Sequence, residues 1–285
     1  MVRPLKTLLV GASVITGLSA FSGAPALAAS LTGVSTTGDV RVFEQISPTE
    51  LQLAGDASDP TVINALGSKG NVELDDNIDG GFANETPSTL TANFDDGSSI
   101  MFGSVGQADW FDNGLANAWT DGIYGTYTAQ FSSLGLSSGT ELLGALTTSL
   151  SSYKVFERLS DPNIAYVESD GGEYSFGLAG HTNFATGLSL DKNNPYYDLF
   201  ASMQASEVAK YSLDGGATWE YAYSFGENSE SSGVVEVGDG ISHARNFNFT
   251  VGEKTVADVP EPASLLGLAA VGGVFAASKR RKAIA

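Results

Sequence analysis

The sequence predicts a mainly β body, sandwich-like with a few short helices, and a mixed α+β arrangement is the alternative. Three observations carry this. Several short runs alternate polar and apolar residues, among them Thr89-Leu90-Thr91-Ala92-Asn93-Phe94 and the series Phe247, Phe249, Val251. That is the period of a half-buried strand. Six Asp-Gly pairs are spread along the chain, most of them where a turn is needed. Clear helical spacing is confined to one stretch, residues 139–152, where Leu142, Leu143, Leu146 and Leu150 recur.

Taken in order, residues 32–45 open the body, with Val40, Val42 and Phe43 as strand candidates. Asp59-Pro60 then starts a short helix, Asp as its cap and Pro in its first position. Val62, Ile63 and Leu66 form its apolar face and Gly67 ends it. Residues 71–74 read as a strand leading into the acidic loop 75–81. Residues 89–94 and 98–102 flank Asp95-Asp96-Gly97, a hairpin signal. The stretch 107–121 is ambiguous and fits a short helix bearing Trp110 and Trp119. Residues 124–131 read as a strand. Ser138 and Glu141 have capping-box spacing at the start of helix 139–152. Residues 153–158 and 163–167 read as strands around a Ser160-Asp161-Pro162 turn, and residues 173–178 as another. Asn194-Pro195 starts a short helix holding Leu199, Phe200 and Met203. Residues 208–213 and 218–225 make a second hairpin across Asp214-Gly215-Gly216. It sets Trp219, Tyr221, Tyr223 and Phe225 on one face.

Charge narrows the class of partner. The 285 residues carry a formal charge of −19. All 33 acids lie between Lys6 and Lys279 with only 8 of the 14 bases, so that span carries −25. Such a surface repels nucleic acid and anionic membranes and favours divalent cations and neutral or basic partners. Cysteine is absent, so packing rather than disulfides must stabilise an exported body, and thiolate chemistry is excluded. His181 and His243 are the only histidines, which excludes a His-rich metal centre.

Both ends read as targeting segments. Arg3 and Lys6 precede a mostly apolar run from Leu8 to Phe21, and Ala26-Leu27-Ala28 is a small-x-small cleavage site before Ala29. That pattern is a secretory signal peptide over residues 1–28. Residues 29–258 form the body. Residues 259–285 begin with Val259-Pro260-Glu261-Pro262, where two prolines forbid a helix interior or a central strand. An uncharged run follows over residues 263–277, including Leu265, Leu266, Leu268, Val271, Val274 and Phe275. As a helix it spans about 22 Å, against a bilayer core of about 30 Å. Lys279, Arg280, Arg281 and Lys282 then hold the end in the cytoplasm.

This ordered triple resembles the PEP-CTERM sorting signal of exported bacterial proteins. The resemblance covers about the last 27 residues. It implies an exosortase partner that recognises the Pro-Glu-Pro region, removes the tail and releases or re-anchors the body. It implies transient insertion in the inner membrane, a Gram-negative host, and association with extracellular polysaccharide. An uncut single-pass anchor is the alternative, and it needs about 20 apolar residues.

Within the body, Asp75-x-Asn77-x-Asp79-Gly80 matches the opening of a Ca²⁺ loop. The match stops there, because Thr86 stands at the twelfth position and Glu85 one residue early. The bland reading is an exposed acidic turn, and no other cofactor is expected. The ladder Trp219, Tyr221, Tyr223, Phe225 fits either a sugar-stacking platform or the buried face of a strand. His181 lacks a nucleophile elbow nearby, since Gly187-Leu188-Ser189-Leu190-Asp191 has no closing Gly. The expected function is therefore an exported acidic surface or matrix protein, structural or adhesive and not an enzyme. A lectin-like module and a secreted hydrolase are the alternatives.

Overall fold

The computed structural model describes residues 28–68, 70–75, 87–149, 154–181, 183–187, 190–193, 197–226, 229–232, 234–236 and 245–253. The chain is mainly β. It opens with strands β1 (Leu31–Thr37), β2 (Asp39–Ser47) and β3 (Glu50–Leu53), followed by helix α1 (Asp59–Gly67) and β4 (Asn71–Asp75). The hairpin β5 (Thr89–Phe94) and β6 (Ser99–Gly103) leads into five helices: α2 (Gln107–Phe111), α3 (Leu115–Thr126), α4 (Thr128–Ser133), α5 (Gly139–Ser149) and α6 (Lys154–Arg158). Long strands β7 (Asn163–Asp170) and β8 (Glu173–His181) come next, then short helices α7 (Phe184–Gly187) and α8 (Tyr197–Ala201). The described part closes with β9 (Ala205–Ser206), β10 (Ala209–Ser212), β11 (Glu220–Ala222), β12 (Ser229–Ser231), β13 (Val235–Glu236) and β14 (Arg245–Gly252).

These strands form two sheets. The smaller runs β1-β5-β6-β10-β11, and the larger β12-β14-β8-β7-β4-β2-β3-β13, with β9 on the end of β8. Every pairing is antiparallel except β13 on β3. The inward residues of both sheets share one core. Leu90, Ala92, Ile100, Phe102 and Tyr211 come from the smaller sheet, and Val42, Val72, Leu74, Ile164, Phe176 and Leu178 from the larger. Alternation produces this, because residues two apart point to one face. Phe176 packs edge-on against Phe102 at 4.9 Å and lies 6.0 Å from Tyr211, so aromatic rings join the two sheets.

Turn chemistry sets both expected hairpins. Between β5 and β6, Gly97 takes φ +84°, and Asp96 Oδ1 accepts the Ser98 N–H at 2.8 Å. Between β10 and β11, Asp214 accepts from Thr218 N at 2.8 Å and Thr218 Oγ1 at 2.6 Å. These bonds, with one from Ser212, favour the charged carboxylate and hold its pKa down to about 2. Helix α1 forms where expected, but its cap differs. Ser58 is the N-cap, and Asp56 Oδ1 braces the approach by accepting from Ser58 N and Thr61 Oγ1. In α5, Ser138 Oγ accepts from Glu141 N, while Glu141 reaches one residue further back than the expected box, to Ser137 N at 2.6 Å.

Two expected strands are helices. Residues 124–131 belong to α3 and α4. Ile123, Tyr127 and Phe131 are buried four residues apart, which is helical spacing. Thr126 and Thr128, residues that favour strands, turn their hydroxyls back to the carbonyls of Gly122 and Tyr124. Residues 154–158 form α6 because Phe156 is drawn into a second core, 4.7 Å from the ring of Trp110. That core gathers Trp110, Trp119, Phe131, Leu142, Leu146, Phe156, Phe184 and Met203. Both tryptophans lie within it, and Trp110 Nε1 donates to Ser160 Oγ at 2.9 Å. Strand β3 forms where no strand is expected from the sequence.

A buried carboxyl joins the sheets to each other. Glu207, between β9 and β10, is only 6% exposed. It accepts from Asn163 N at 2.6 Å and Asn163 Nδ2 at 3.2 Å at the start of β7. Burial raises its pKa well above the ordinary value, and the charges of Glu73 and Asp161 push the same way.

Two outcomes follow. Phe176→Ala removes the ring that both sheets share and lowers unfolding free energy by about 3–5 kcal/mol in chemical denaturation; a loss under about 1 kcal/mol would contradict the shared core. The second concerns pH. Folded Glu207 holds its proton more tightly than the unfolded chain does, so its contribution is complete at acid pH and is lost as pH rises above the unfolded value of about 4.5. Glu207→Gln therefore flattens the fall of the thermal midpoint between pH 5 and pH 8. Parallel pH curves for the two proteins would exclude this role.

Candidate functional site

Helix α2 meets the β10–β11 hairpin at a polar cluster centred on Asp109. Asp109 Oδ2 accepts from the backbone N of Gly106 at 3.0 Å and from Lys210 Nζ at 2.9 Å. Asp109 Oδ1 accepts from Tyr221 Oη at 2.7 Å and Asn113 Nδ2 at 3.4 Å. Burial, followed by the Asp109 charge, raises the Tyr221 pKa. Lys210 Nζ also lies 5.4 Å from the ring centroid of Trp219. Carboxylate, ammonium and phenol thus satisfy one another. Such a closed network fastens a hairpin to a helix.

The aromatic ladder is part of this fastening. Trp219 covers the Lys210 stem, and Tyr221, Tyr223 and Phe225 pack half-buried against the helical core. Phe225 lies 5.4 Å from Trp119, and the Tyr223 and Phe225 rings are tilted 57° to each other. The rings are therefore neither a flat platform nor a fully buried strand face. Regular β11 stops at Ala222, and beyond it only an isolated bridge pairs Phe225 with Ala205.

The other sequence candidates fall differently. Asp75 ends β4 opposite Asp39, whereas Asn77 and Asp79 lie outside the described residues. Among the described residues no three His, Asp or Glu side chains gather as a metal site. His181 closes β8 opposite Ala205, and its side chain lies outside what is described. Ala26 also lies outside. Ala28 is the first described residue, and Ala29 N donates to Ser169 O at 2.8 Å. Val259, Pro260, Glu261, Pro262, the apolar residues from Leu265 to Phe275 and the basic group Lys279, Arg280, Arg281, Lys282 are outside too. Among the described residues, no helix is long and apolar enough to cross a membrane.

Sequence reasoning missed a cavity of about 370 Å³ beside the larger sheet. It opens where β7 runs on past the start of β4 at Asn71, beyond the rungs Val72–Ile164 and Glu73–Asn163. Leu51, Ile63, Leu66, Val167 and Val234 give it apolar walls, and Asn71 and Glu168 also line it. The sequence carries no local signal of it, since Asn71-Val72-Glu73-Leu74 reads only as a strand.

The comparisons with known proteins bear on the other end of the chain. The PEP-CTERM protein-sorting motif matches residues 258–282. No curated protein and no solved structure matches the chain at a significant level. The match spans the Pro-Glu-Pro region, the apolar run and the basic group in that order, and the chain therefore carries a PEP-CTERM protein-sorting motif over residues 258–282.

Proposed function

We propose that this is an exported, acidic cell-surface or matrix protein that is held briefly in the inner membrane by its C-terminal tail and cut near Pro260–Pro262 by an exosortase. The observation that carries the reading is the ordered sorting motif at residues 258–282. The body serves a structural or adhesive role among extracellular polysaccharide and is not an enzyme. The closed Asp109–Lys210–Tyr221 network supports that part, since it fixes structure and offers no unengaged nucleophile. The net charge of −25 between Lys6 and Lys279 also suits a solvated surface layer.

The distance from body to motif supports processing on a folded body. Strand β14 closes at Gly252, and five residues separate it from the motif at 258. From Gly252 to Ala263 the chain reaches about 35–40 Å at full extension. The body therefore folds just outside the bilayer while the tail is inserted, and the Pro-Glu-Pro region stays accessible between them.

Removal of residues 259–285 tests the sorting claim in the protein's own host. The expected result is a body that crosses the inner membrane but is lost to the medium, with no surface-retained form. Equal surface retention of the truncated and full chains would defeat the proposal.

A further inference from the structure

We propose that Asn113 is a site of spontaneous deamidation, and that the change loosens the hold of helix α2 on the β10–β11 hairpin. Asn113-Gly114 is the single Asn-Gly pair in the 285 residues. It forms the turn between α2 and α3, where Asp112 closes the first helix and Gly114 opens the second. Asn113 is exposed. Gly114 takes φ +80°, and among the described residues its N–H has no hydrogen-bond partner. No atom crowds the open side of its Cα within 4 Å.

These features match what the reaction needs. Gly114 N is the nucleophile and Asn113 Cγ the electrophile. Hydroxide takes the amide proton of Gly114, the nitrogen attacks Cγ, and Nδ2 leaves as ammonia. The product is a cyclic succinimide. Water then opens it at either carbonyl. One opening gives aspartate. The other gives isoaspartate, which routes the main chain through the former side chain. Water is the whole supply of reagent, so the change marks the age of the folded protein. Asp109 and Asp112 flank the turn, and their charge opposes loss of the Gly114 proton, which makes the reaction slow and cumulative.

Other asparagines are worse placed. Glycine has no Cβ to obstruct the attacking nitrogen or to resist the backbone rotation that closes the ring. Asn71 and Asn163 are buried. Asn246 and Asn248 lie in the β14–β8 ladder and are followed by Phe247 and Phe249.

The consequence falls on the polar cluster. Asn113 Nδ2 donates to Asp109 Oδ1 at 3.4 Å, and the same carboxyl holds Lys210 and Tyr221. The Asn113 side chain also hydrogen-bonds the Tyr221 hydroxyl. Deamidation replaces this amide donor with a carboxylate. Asp109 then meets a like charge where it had a donor, and the hairpin loses part of its fastening to α2.

The test incubates the purified full-length chain at pH 8 and 37 °C and follows it by peptide mass spectrometry, with fragmentation that separates aspartate from isoaspartate. Asn113 should deamidate about tenfold faster than the exposed Asn117 and Asn248, because only Asn113 precedes a glycine. Both products should appear. Asn113→Gln keeps the amide but needs a larger, less favourable ring, and should abolish the modification in that peptide. Asn113→Asp stands for the product. It should speed amide hydrogen exchange in β10 and β11 about threefold relative to Asn113→Gln, with exchange in β7 and β8 unchanged. Deamidation of Asn113 no faster than that of Asn117 and Asn248 would overturn the site. Equal exchange of the hairpin in Asn113→Asp and Asn113→Gln would overturn its effect on the fastening.

Discussion

The fold depends on the ring of Phe176. It is fully buried in the larger sheet, edge-on to Phe102 of the smaller sheet and stacked 5.3 Å from Phe249 of the neighbouring strand. A chain without cysteine cannot staple two sheets covalently. Here aromatic burial does that work across the interface, with Phe94 and Tyr174 repeating the contact at 5.9 Å. Glu207 adds a polar tie at the same junction through Asn163. The helical core sits at one end of this interface and is joined to it by backbone bonds, Val105 N to Ser160 O and Val208 N to Leu159 O.

That arrangement decides what the candidate side chains are free to do. Lys210 leaves β10, is held by Asp109 from α2 and is covered by Trp219 from the hairpin. The aromatic ladder, the sequence candidate for sugar stacking, is engaged in holding helix to sheet. Glu207 is likewise engaged, its pKa raised by burial and its oxygens held by Asn163.

Much of the β architecture was legible because local signals agree. The alternating run in β5, the Asp96-Gly97 turn and the run in β6 all specify one hairpin. The Asp214 turn does the same for β10 and β11. The failures occur where a distant core overrides local propensity. Thr126, Thr128 and the aromatic residues of 124–131 favour a strand by type, yet Tyr127 and Phe131 are wanted on one face of a helix. Phe156 is claimed by Trp110 and Trp119, partners far away in sequence. The cavity was illegible for a related reason: β7 outruns β4, which starts only at Asn71, and the relative lengths of two strands distant in sequence leave no local mark. The sorting signal was legible because its parts are adjacent and each is physically distinct.

In the proposed function the folded body persists and the tail is transient. The most direct test is the intact mass of the mature protein recovered from its host's surface, read with C-terminal peptide sequencing. The account predicts a chain that ends near Pro260–Pro262 and lacks the apolar run and the basic group. A surface protein that still ends at Ala285 would contradict it.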